Sequence, residues 1–135
     1  MPRRTLAGLL WFALICWACG ILWMSSLTPQ ELPDAAFLLS DKINHGLAFV
    51  AGGWLAASAL RLSWPAAVAS RIVIAVILVA AFGALDESVQ TFTPGRTGND
   101  VYDWTADLLG AVAGAMLSLA THERVERMVA SVNRP

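Results

Sequence analysis

Four stretches of about 20 mostly apolar residues, at approximately 5–25, 42–62, 71–92 and 101–121, dominate the chain and limit what it can become. A hydrocarbon core of about 30 Å takes about 20 residues to cross as a helix. With no water in that core, each backbone segment has to satisfy its own hydrogen bonds, which dictates helices. Composition agrees: 57% of the 135 residues are hydrophobic and 14% are charged, too little polar surface for a soluble globule of this size. The expected fold is therefore all-α, a four-helix transmembrane bundle forming a single domain over 1–135.

The charges orient the bundle. If the N-terminus and the 63–70 connection face the cytoplasm, the inner side holds Arg3, Arg4, Arg61, Arg71, Arg124, Arg127 and Arg134 against Glu123 and Glu126. The outer side then holds only Lys42 and Arg96 against Glu31, Asp34, Asp41, Asp86, Glu87, Asp100, Asp103 and Asp107. The net charge of −1 thus conceals a basic inner and an acidic outer face, and the positive-inside rule predicts both termini in the cytoplasm of a bacterial plasma membrane protein. Trp64 on the inner side, and Trp23 and Trp104 on the outer, suit interfacial anchoring.

The first span is read as a retained anchor, because the apolar run Leu6 to Met24 exceeds a usual signal core. Cys16 and Cys19 have redox spacing but lie within that run, where nothing activates a thiol, so they are read as small apolar residues. Residues 25–40 form an outer loop with two prolines and an expected short turn at Ala35 to Leu39. After His122, the spacing of Val125, Met128, Val129 and Val132, with Arg124 and Arg127 elsewhere around the helix, predicts a short amphipathic C-terminal tail on the inner leaflet. No repeat, phosphate-binding glycine loop or nucleic-acid motif is present in the sequence.

Measured from the inside outward, three apolar runs stop early. Gly46–Leu60, Ile72–Leu85 and Leu108–Ala120 hold 15, 14 and 13 residues, covering about 20 to 22 Å each at 1.5 Å per residue. The missing outer third is polar in every case: Asp41, Lys42 and His45 on the second span, Asp86, Glu87 and Gln90 on the third, Asp103 and Asp107 on the fourth. Helical spacing aligns Asp41, His45, Ala48 and Gly52 on one face, and Asp103, Asp107, Gly110 and Gly114 on another, while Gly83, Glu87 and Gln90 align on the third helix with Asp86 beside them. Small residues mark where transmembrane helices approach each other, so these stripes are expected to face protein and share a pocket. Ser88 is rotated off that face, and Thr91 and Thr97 belong to turns. Two plainer readings compete. Acids favoured at helix N-termini explain Asp41 and Asp103 but not Asp86 and Glu87, which stand near a C-terminus; polar contacts that merely lock a bundle explain any of them.

The blocks "DKINH" at 41–45, "LDESVQTFTPGR" at 85–96 and "DVYDWTADLLGAVAG" at 100–114 resemble, in order and spacing, those of the VanZ-like family of small bacterial membrane proteins, and "MSSLTP" leaving the first span is similar to that family's serine pair. The resemblance covers nearly the whole chain. It implies a multi-span plasma membrane protein, and the family takes its name from a member associated with resistance to the glycopeptide teicoplanin. Carried across by position, its polar set is Asp41, Lys42, His45, Asp86, Glu87, Gln90, Arg96 and Asp103. Asp107 departs from the pattern, standing where the family usually has asparagine.

Five acids against Lys42, His45 and Arg96 cannot all stay ionised in a low-dielectric site without protons or a cation. A divalent cation is one answer, with Asp41, His45, Glu87 and Asp103 as candidate ligands. Three uses stay open. The leading one is a pocket that binds membrane lipids or a lipid-linked envelope precursor, through Asp41, Lys42, Gln90, Arg96, Asp103 and Asp107. The alternative is a hydrolase or transferase acting on a phosphorylated lipid by acid/base or metal-assisted chemistry, with Asp86, Glu87 and His45 as its catalytic groups. A proton or cation pathway ranks last, since the inner two-thirds of the spans carry no ionisable residue.

Overall fold

The computed structural model describes the backbone of residues 3–132 and the side chains as far as Arg124. Within it the chain forms α1 (Arg3–Ser25), a 3-10 turn at Asp34–Phe37, α2 (Asp41–Ser63), α3 (Val68–Gln90) and α4 (Val101–Val132), with no strand among the described residues. All four helices are long and apolar enough to cross a membrane. α1, α2 and α3 begin and end within about three residues of the expected spans, as fraying ends allow, and α4 begins at the expected residue. The expected turn after Pro33 is the 3-10 segment. α4 runs on unbroken past His122 to Val132; the faces expected of Val125, Arg127, Met128, Val129 and Val132 lie outside the described residues.

α2 is the central helix: 44% of its apolar window is buried, against 6% for α1, whose Leu9, Phe12 and Ile15 are left facing outward. Between helices in lipid no hydrophobic force draws Leu against Leu, so close packing decides which faces meet. The α2–α4 seam shows this. A methyl group added at Gly110 would overlap the Gly46 carbonyl oxygen, one at Gly114 the Val50 carbonyl oxygen, and one at Gly53 the Ala111 carbonyl oxygen. The same stripe ends in Ser118, whose hydroxyl lies 2.8 Å from that of Ser58, both fully buried. α1 joins through Trp17. Its indole covers Gly52, donates to the Ala48 carbonyl at 2.9 Å, and packs edge-on to Phe49 with ring centres 5.3 Å apart.

At the far end of α2 from Asp41, Arg3 donates to the carbonyls of Leu62 and Arg61 at 3.1 and 3.0 Å. These oxygens have no intrahelical donor, so the guanidinium closes the helix and answers its dipole. α2 begins, α3 ends and α4 begins at the opposite end, which brings the three polar ends to one level.

Candidate functional site

α3 and α4 are joined by a loop whose shape is set by two residues with positive φ. The Arg96 amide donates to the Thr93 carbonyl at 3.1 Å, with Pro94 and Gly95 (φ 78°) between them; proline second and glycine third is the chemistry of a type II turn. Asn99 (φ 58°) then turns the chain so that its amide reaches the Glu87 carbonyl at 3.2 Å. Gly98 is required here for space, since a side chain would run into the backbone of Thr91 and Glu87. α4 starts on Asp100, whose carboxylate accepts the Tyr102 amide at 2.7 Å as a helix cap. That bond, helped by Lys42, holds the Asp100 carboxyl below the ordinary aspartate range.

The loop returns α4 so that its acids face α2 and α3. His45 Nδ1 lies 2.9 Å from Asp107 Oδ1 and 4.0 Å from Glu87 Oε1. Lys42 Nζ lies 2.6 Å from Asp103 Oδ1 and 3.3 Å from Asp100 Oδ2. Gln90 donates to Asp86 Oδ2 at 3.2 Å and to the Ser25 hydroxyl at 3.4 Å. The Asp100 amide donates to Glu87 Oε2 at 2.8 Å. Asp86, Glu87, Asp103 and Asp107 are each at most 3% exposed and His45 is 9% exposed, so polar stripes from three helices do converge inside the bundle.

Not every expected residue enters this centre equally. Asp41 is exposed at its edge, although its carboxylate approaches His45 and Asp103. Lys42 is about half exposed and works inward through Asp103. Arg96 is half-buried in the loop and acts on Asp86 through charge. Ser88 faces outward and returns its hydroxyl to the Ala84 carbonyl, as its rotation off the stripe implied. Trp104, expected near an interface, donates to the Ala80 carbonyl at 2.9 Å and pins α4 to α3.

Two further residues belong to the centre, Ser25 and Asp100. Ser25 ends α1 buried: its hydroxyl accepts from Gln90, and its carbonyl accepts the Thr93 hydroxyl at 2.8 Å. α1 thus contributes to the polar centre as well as to packing. Asp100 holds three partners at once, being cap, amide donor to Glu87 and neighbour of Lys42. Its position directly before an apolar helical run was a capping signal that pointed to the first role only.

The sequence profile of the VanZ/LLP1 family matches residues 10–122. The chain belongs to that family. No curated protein matches it, nor does any solved structure. The matched region runs from within α1 to His122, so the VanZ/LLP1 profile spans all four helices and every residue of the polar centre.

Bundle locking accounts for part of this VanZ-family centre. Lys42–Asp103 and His45–Asp107 tie α2 to α4, and Glu87 ties α3 to the loop. It does not account for Asp86 Oδ1, Glu87 Oε1 and Asp107 Oδ2, which are buried and have no hydrogen-bond partner among the described residues. Leaving such acceptors unmatched costs about 1 to 3 kcal/mol each, a cost that a purely structural brace has no reason to carry.

Proposed function

We propose that this VanZ-family protein sits in the bacterial plasma membrane with both termini cytoplasmic, and that its polar centre, at the outer-leaflet end of the bundle, engages the headgroup of an envelope lipid or lipid-linked precursor. The observation that carries this reading is the set of three buried carboxylate oxygens without donors. Hydroxyl and amine groups of a glycosylated or amine-bearing headgroup are the donors they lack. Lys42 at the exposed edge is suited to the phosphate that joins such a headgroup to its lipid. Four apolar helices and the arginines gathered at the other end support this membrane position. Occupying the headgroup of a cell-wall precursor would alter what a teicoplanin-type glycopeptide meets, which connects the reading to antibiotic resistance.

Binding of lipid-linked cell-wall precursors and of plain phospholipids to the protein in nanodiscs tests this. Saturable binding of a precursor, weakened at least tenfold in Glu87→Gln and in Lys42→Met, is the expected result. Equal affinity of wild type and both variants, or no saturable binding of any envelope lipid, would reject it.

A further inference from the structure

Asp86, Glu87 and Asp107 share one arrangement. Each carboxylate has one oxygen held by the protein, Asp86 by Gln90 with the Ser25 hydroxyl also acting on the group, Glu87 by the Asp100 amide and Asp107 by His45, and each has one buried oxygen with no hydrogen-bond partner among the described residues. We propose that His45, Glu87 and Asp107 bind one divalent cation of the Mn²⁺ or Zn²⁺ type, with Asp86 supplying charge beside it. This goes beyond the lipid reading and does not rest on it.

Geometry is the first argument. One ligand atom from each of His45, Glu87 and Asp107 can be chosen so that all lie within 4.8 Å of one another. Ligands about 2.1 Å from an octahedral ion stand about 3.0 Å apart when adjacent and about 4.2 Å apart when opposite. The 4.0 Å from His45 Nδ1 to Glu87 Oε1 matches the wider value, and at Asp107 the ion would take the place of the proton that His45 Nδ1 and Oδ1 share over 2.9 Å.

Charge is the second. Lys42 neutralises Asp103 at 2.6 Å, which leaves Asp86, Glu87 and Asp107 with the His45 imidazole as the only basic side chain in direct contact among the described residues. A doubly charged ion supplies the balance that a low-dielectric site needs. The donor set is the third: one imidazole with carboxylates suits Zn²⁺ or Mn²⁺ better than the all-oxygen shells of Ca²⁺ or Mg²⁺. The neighbouring trio Asp41, His45 and Asp103 fits less well, because Asp41 is exposed and Asp103 is already taken by Lys42.

The test uses the full chain in detergent, stripped with a chelator and given no lipid ligand. Mn²⁺ is titrated against the free-ion electron paramagnetic resonance signal, and Zn²⁺ content is measured by elemental analysis after gel filtration. One ion per chain is expected, with affinity reduced at least tenfold in Glu87→Gln and unchanged in Asp34→Asn, which lies outside the cluster. Pulsed resonance on bound Mn²⁺ should show nitrogen coupling from a single imidazole, a readout that needs no variant to fold. Absence of stoichiometric binding of either ion to monodisperse wild type, affinity unaltered in folded Glu87→Gln, or bound Mn²⁺ without nitrogen coupling overturns the proposal. Lipid binding measured in chelator, and metal binding measured without added lipid, fail independently of each other.

Discussion

His45 on α2 and Asp107 on α4 meet at 2.9 Å across 62 positions of sequence, and both are buried. The contact exists because Gly53, Gly110 and Gly114 let the two helix backbones touch beyond it. A chemical pair is thus placed by a packing seam.

That pair separates two substitutions of one residue. Asp107→Asn keeps an oxygen for the His45 N–H and should leave stability within about 1 kcal/mol of wild type, since it also removes a buried charge. Asp107→Leu leaves the imidazole N–H without an acceptor and should cost about 1 to 3 kcal/mol. Denaturant unfolding in detergent, followed by tryptophan fluorescence, compares the two. Equal losses would mean that the hydrogen bond contributes nothing.

Much of this was legible in the sequence because membrane helices obey strong constraints. The spans follow from length and hydropathy, and the inward stripe on each helix from the 3.6-residue period. Residues such as His45, Glu87 and Asp107 could therefore be placed together before any partner was known. The partners were less legible. Whether Asp103 meets Lys42 or His45 depends on helix rotation and a few ångströms of register, which periodicity does not resolve. Ser25 stood out only as one of the serine pair that resembles the VanZ-like family's; its burial depends on the way α1 leans on α3, which periodicity does not give. Trp104 fits an interfacial belt equally well until the α3–α4 distance is known.

The seam itself predicts a steep size dependence. Gly114→Leu places carbon atoms against the Val50 carbonyl and Trp54 amide, backbone that cannot step aside. It should cost at least about 3 kcal/mol or abolish the monodisperse species. Gly20→Leu on α1, where nothing lies within 4 Å of an added carbon, should be neutral. Gel filtration and unfolding midpoints of the two variants check this.

Asp100 gives a pH dependence with a definite sign. Its carboxyl is held down by the Tyr102 amide and then by Lys42, so the native state binds a proton there less readily than the unfolded chain. The stability it contributes is fully present above the ordinary aspartate range and is lost as pH falls through the lower native value. Asp100→Ala should be less stable than wild type at pH 7, and the difference should vanish toward pH 2. A gap that stays constant across that range would contradict the role of the charge.

Lys42 and Asp103 should be unequal partners. Removing Lys42 strands a carboxylate that is 1% exposed, whereas removing Asp103 leaves an ammonium that can turn to water. Lys42→Met should therefore destabilise more than Asp103→Asn, and adding Asp103→Asn to Lys42→Met should restore part of the loss. A double-variant cycle by thermal unfolding in detergent measures the coupling; an additive cycle would show the pair to be idle.

Gly83 faces the polar centre from α3 and sets how much room Asp107 has. A methyl group there would stand 2.9 Å from Asp107 Oδ2, 3.1 Å from Phe49 and 3.2 Å from the Asp107 β-carbon. The carboxylate must then tilt, and its bond to His45 tilts with it, because Phe49 is fully buried and cannot yield. Gly83→Ala should cost about 1 to 3 kcal/mol by overpacking. Shortening the neighbour in Gly83→Ala/Asp107→Ser should recover part of that cost, a non-additivity expected only if the two residues compete for one volume. Losses that simply add would place the Asp107 side chain elsewhere.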